Sequence, residues 1–141
     1  MGDWYVIAAI PASIEKQSYN ALENYKLNDD GTIATTFSFN HGSLDGKLKT
    51  YEPRGFVAKH SGNAIWGMQF IWPIKAEYLI AYLDENYTQT IIARNARDYV
   101  WIMARTPQIS DADYSHLTQF VAKLGYDIGK LRKVPHKINR N

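Results

Sequence analysis

The apolar stretch Asp98–Pro107 divides this chain. Its aromatic and β-branched residues lack helical spacing, so it reads as a strand, and Pro107 cannot continue the ladder. Apart from a short strand expected within 126–134, every strand-like run precedes Pro107. The one helical pattern follows it. Ser110 and Asp113 form a capping-box pattern, Leu117, Phe120, Val121 and Leu124 make an apolar stripe, and Gly125 suits the position after a helix end. A sheet that fills most of a 141-residue chain and then meets one helix, over about 111–124, predicts an all-β fold. The expected form is a closed, eight-stranded antiparallel up-and-down β-barrel with a single C-terminal α-helix packed outside it.

In order along the chain, residues 3–10 form an apolar run that must be covered on both faces. Residues 11–20 read as a loop across one mouth of the barrel. A strand over 21–27 meets the turn Asn28-Asp29-Asp30-Gly31, and the return strand 32–39 puts Ile33, Thr35, Phe37 and Phe39 on one face. After the turn 41–46, a strand over 47–51 and 55–59 is interrupted at Pro53, where a ladder donor is missing. Residues 64–72 show the clearest alternation, with Trp66, Met68 and Phe70 on one face. Strands over 77–83 and 87–93, joined by Asp84-Glu85-Asn86, complete a meander of about eight strands. One domain over 1–141 with a loose C-terminal tail is the expectation.

The formal charge of +2 and the absence of a concentrated basic cluster argue against a nucleic-acid partner. With no cysteine in the chain, thiol nucleophiles, thiolate metal sites and disulfides are excluded. His41, His60, His116 and His136 lack metal-ligand spacing, so no metal site is expected. No glycine-rich phosphate loop or nucleophile elbow is present, and no cofactor is expected. Asp84 and Glu85 read as a solvated turn rather than an acid–base pair, so neither they nor any other residue is assigned a catalytic role. No apolar run reaches the ~20 residues of a membrane-spanning helix, and no signal peptide or lipid-anchor cysteine is seen.

The aromatic residues remain, among them 10 Tyr and 4 Trp. In a barrel the inward face should carry Tyr25, Phe37, Trp66, Met68, Phe70, Tyr78 and Trp101, with few inward charges. Such side chains either fill the core or wall a pocket for an apolar guest, since an eight-stranded barrel has just enough room for either. The residues themselves leave both readings open.

Three stretches resemble the lipocalin family, and within it the bacterial, apolipoprotein-D-like branch of outer-membrane lipoproteins. Gly2-Asp3-Trp4 fits the Gly-x-Trp of the first strand. Leu83-Asp84-Glu85 stands where Thr-Asp-Tyr is usual and keeps only Asp84. Trp101–Pro107 fits the last-strand motif with its arginine. Arg97-Asp98-Tyr99 and Gly125-Tyr126-Asp127 agree as well. The chain starts at Gly-x-Trp, without the family's preceding segment that helps to close the barrel floor.

The resemblance implies a non-enzymatic carrier of a fatty acid or lysophospholipid, placed in the cell envelope and linked to envelope maintenance. It allows a homodimer, and membrane association only through a lipid anchor that this chain lacks. An isomerase-like enzymatic lipocalin and a filled-barrel interaction module are the alternatives. Gly2, Trp4, Asp84 and Arg105 are then structural, with the Arg105 guanidinium covering the Trp4 indole at the closed end. Tyrosine hydroxyls and Lys75 could meet a polar head. Trp101 is expected in the inner half of the pocket, four residues and ~13 Å from Arg105 on the same face, and Trp66 is expected to sense ligand less.

Overall fold

The computed structural model describes residues 1–10, 18–59, 62, 64–71 and 74–137, with the side chains of 70, 71, 74 and 75 outside the description. The strands are β1 (Gly2–Ile10), β2 (Ser18–Leu27), β3 (Ile33–His41), β4 (Lys47–Tyr51), β5 (Arg54–Val57), β6 (Ile65–Ile71), β7 (Ile74–Leu83), β8 (Gln89–Ala93) and β9 (Val100–Ala104). After them come α1 (Asp111–Lys123), a 3₁₀ turn over Ile128–Lys130 and the two-residue β10 (Arg132–Lys133). All strand pairs are antiparallel, and β1 pairs with both β2 and β9, which closes the sheet.

Both β4 and β5 pair with β3, and they share one wall position on either side of Pro53. The closed wall therefore has eight positions. At the interruption the Pro53 carbonyl still accepts the Thr35 N–H at 3.2 Å, so the ladder of β3 loses little. The Asn28–Gly31 hairpin forms as expected, with Gly31 at φ 84° and the Asn28 N–H donating to Thr32 O. Some strand ends differ from the sequence reading. Tyr87 and Thr88 belong to a turn, because Tyr87 takes φ 56° and the Asp84 carboxylate captures the Thr88 and Gln89 N–H groups. At the other margins, β2 begins already at Ser18, within the expected loop, and β9 only at Val100. Of that loop, residues 11–17 lie outside the description, as do residues 138–141 of the expected loose tail.

Burial alternates as a half-filled barrel requires. Ile33, Thr35, Phe37 and Phe39 are buried, while their neighbours along β3 are not. A register shift between Val6 and Ala8 turns two successive residues of β1, Ile7 and Ala8, to the outside. Trp4, Val6 and Ala9 face the barrel core, and Ile7, Ala8 and Ile10 lie beneath the helix. That bulge explains how one short run can be apolar on both faces.

The helix starts at Ser110, whose Oγ accepts the Asp113 N–H at 3.1 Å. It ends at Gly125, which takes φ 98°, and there Arg97 Nε donates to the Leu124 carbonyl at 2.7 Å, placing a cation at the negative end of the dipole. Leu117 and Val121 are fully buried against Ile91, Val100, Ile102 and Ala104 on the outer wall. Leu117→Ala should cost ~2–5 kcal/mol of stability, the usual loss for a buried leucine, measured by urea denaturation.

Candidate ligand-binding site

One end of the barrel gathers the start of β1, the β2–β3 hairpin, the turn 84–88 and the end of β9; it is called the floor below. Trp4 is inward and 5% exposed, and the Arg105 guanidinium carbon stands 3.8 Å from its ring centroid. Arg105 Nη1 donates to Asp3 O at 2.8 Å, and Nε donates to Tyr87 O at 3.1 Å. Gly2 takes φ 81°, and a Cβ there would lie 3.4 Å from Arg105 Nη1, so a side chain would be strained at this position. Asp84 accepts the Thr88 and Gln89 N–H groups and the Thr88 hydroxyl. Desolvation acts upward on its carboxyl, but these hydrogen bonds outweigh it and hold the group below the usual carboxylate range. Gly2, Trp4, Asp84 and Arg105 thus meet in one knot that joins both ends of the sheet to the 84–88 turn.

Above the knot lies a cavity of about 510 Å³. Tyr25, Trp66, Tyr78, Ile92 and Met103 line it, together with Met1, Trp4, Leu83, Tyr87 and Arg105 from the floor. This volume lies within the range of small-molecule sites. Of the residues expected to face the guest, Tyr25, Trp66 and Tyr78 line this cavity. Phe37 and Met68 are buried in the same core cluster. Trp101 is half-buried and stacks on Tyr78 with 5.8 Å between centroids, while Trp66 stacks on the same ring at 5.7 Å. Trp66 lines the cavity, whereas Trp101 reaches it through its stacking on Tyr78. The side chains of Phe70 and Lys75 lie outside the described residues.

The residue that sequence reading missed is Glu23. Strand register places it between Trp4 on β1 and Phe37 on β3, on the inward face. It is 9% exposed, and its Oε2 accepts hydrogen bonds from the Tyr25 hydroxyl and, at 2.8 Å, from the Tyr78 hydroxyl. The Tyr25 and Tyr78 hydroxyl oxygens are also in contact with each other, and the two protons donated to Glu23 leave none for that third contact. β2 and β7 are four wall positions apart, so this triad braces opposite walls across the lumen. Burial raises the Glu23 carboxyl above its ordinary value, although hydrogen bonds from Tyr25 and Tyr78 act downward. Burial and the neighbouring Glu23 push the Tyr25 phenol well up.

The comparisons with known proteins agree with this geometry. Residues 1–136 match the description of a Lipocalin-like domain. The chain belongs to the lipocalin family. This lipocalin is 32% identical over 142 residues to Temperature-induced lipocalin-1 of Arabidopsis thaliana, covering 96% of the chain and 76% of that relative. It is 28% identical to the outer membrane lipoprotein Blc of Citrobacter freundii, covering 93% of the chain and 73% of Blc. Among solved structures, insecticyanin from the tobacco hornworm Manduca sexta superposes with a TM-score of 0.75 at 15% identity, over 96% of this chain and 78% of that one. Family members generally bind and carry small hydrophobic ligands.

Two outcomes test the site's construction. Trp4→Ala should cost ~3–5 kcal/mol and Arg105→Ala less, with a clear coupling term in a double-mutant cycle; strict additivity would show that the two do not cooperate. The folded state holds the Glu23 proton more tightly than the unfolded chain does. Its contribution is therefore complete below the ordinary carboxylate pKa and is lost as pH rises through the higher folded value. The slope is at most ~1.4 kcal/mol per pH unit. Urea titrations across that window should show this decline in the wild type and a flatter profile in Glu23→Gln.

Proposed function

We propose that this lipocalin is a non-enzymatic carrier of a single-chain amphiphile, a fatty acid or lysophospholipid, with the acyl chain held in the barrel. The observation that carries this reading is the cavity walled by Trp4, Trp66, Tyr78, Ile92 and Met103. These are large apolar surfaces suited to a hydrocarbon chain. Arg105, which lines the floor end of the cavity, supplies a cation for an anionic head. A role in the bacterial envelope is supported by the Blc relatives, which are outer membrane lipoproteins by name. The plant, viral and mammalian relatives support the ligand reading more than the location.

At ~0.3 kcal/mol per heavy atom, a ligand of ~20 heavy atoms gains ~6 kcal/mol, a Kd of tens of micromolar. Burial of ~15 methylenes at ~0.8 kcal/mol each gives a larger gross term, which chain ordering offsets. The range therefore runs from tens of micromolar to below micromolar.

Titration with palmitate should change the intrinsic tryptophan fluorescence saturably. Trp66→Phe should remove the larger share of the change, and Trp101→Phe a smaller share transmitted through Tyr78. A wild-type protein whose fluorescence does not respond would instead favour a barrel filled by its own brace of Glu23, Tyr25 and Tyr78.

A further inference from the structure

The cavity meets solvent at the end of the barrel that was expected to be closed. Its exposed lining residues are Met1, Gly62, Leu83 and Tyr87. Met1, Leu83 and Tyr87 belong to the floor, and β5 runs antiparallel to the start of β3 toward the same end, which brings Gly62 there too. None of the described lining residues comes from the turns 42–46 and 94–99 at the opposite end. Toward that end side chains fill the lumen: Ala9, Ala21, Phe39 and Val134 are buried in the barrel core, and none of them lines the cavity. The rim of the opening is apolar. Of the seven large hydrophobic side chains exposed among the described residues, five stand at the floor: Met1, Leu27, Ile65, Leu83 and Tyr87. Such a gathering marks a surface that meets an apolar guest. Arg105 is the one charged side chain in the described lining. Its Nε and Nη1 are held by the Tyr87 and Asp3 carbonyls, and its Nη2 has no hydrogen-bond partner among the described residues.

We infer that the floor is the cavity's portal, through which a single-chain amphiphile enters and leaves past Met1, Leu83 and Tyr87. The inference rests on the barrel-binding reading above and adds the route. An acyl chain sheds its water on the apolar rim before it reaches Trp66, Tyr78, Ile92 and Met103. The head follows and stops beside Arg105 at the edge of water, so its charge is not buried along the way. Entry from the opposite end, head first, would carry that charge through the layer of Ala9, Phe39 and Val134. Entry from there chain first would leave the head far from the one cationic side chain of the lining.

The chain has no cysteine, so a single introduced thiol is labelled selectively. Leu83→Cys and Leu27→Cys put that thiol at the floor, and Ser43→Cys puts it in the exposed turn at the opposite end. Each is coupled to a long polyethylene glycol maleimide. Palmitate association is then followed by stopped-flow tryptophan fluorescence, with the same variant unlabelled as reference. The polymer at position 83 or 27 should slow association by about tenfold or more, and at position 43 by less than about twofold. Slowing from position 43 alone, equal slowing from both ends, or no slowing from any position overturns the portal and leaves the barrel-binding reading intact. If palmitate does not change the fluorescence of the wild type, both readings fall together. With two floor positions, the comparison stands even where one variant does not fold.

Discussion

Everything in this molecule depends on the pairing of its first strand with its last. A sheet of eight wall positions has two open edges until β1 and β9 meet, and open edges invite other chains. The seam is held by backbone hydrogen bonds along the wall and, at the floor, by one cation on one aromatic ring. Trp4 brings β1 to that point, Arg105 brings β9, and the 84–88 turn is tied in through the Tyr87 carbonyl. Loss of a surface ion pair would matter little here, whereas the Arg105–Trp4 contact sits where three parts of the chain must agree.

Much of the architecture was legible because the barrel imposes a period of two on residues that cannot hide. β3 is the clearest case, since Ile33, Thr35, Phe37 and Phe39 leave no other register. The helix was equally plain from its Ser110 cap, its stripe and Gly125. Legibility failed at margins governed by side chain to backbone hydrogen bonds. A pattern reading sees Tyr87 and Thr88 as strand formers; Asp84 recruits their backbone into a turn, and nothing in their own side chains announces this.

The site was half legible. Tyr25, Trp66 and Tyr78 follow from alternation, yet the same alternation should have exposed Glu23. A strand that turns Tyr25 inward turns residue 23 inward too, since side chains two apart share a face. The expectation of few inward charges hid that step, because a carboxylate in a run of polar residues looks like surface. Its burial becomes intelligible only with Tyr78, which arrives from the opposite wall 55 residues later. No local window contains both partners.

That separation also governs how the chain reaches its fold. The contact between Asp3 and Arg105 closes a loop of 102 residues, and the one between Glu23 and Tyr78 spans 55. Contacts of such range form late, because the chain entropy lost in closing large loops precedes the gain. A nascent chain therefore holds the completed hairpins of β2 and β3 or of β7 and β8 while β1 still lacks its partner on one side. During synthesis that edge stays unprotected until residues 100–104 leave the ribosome. Aggregation, not unfolding of the finished barrel, is then the main hazard for a variant weakened at Trp4 or Arg105, and its yield should fall more steeply with expression temperature than its equilibrium stability would suggest.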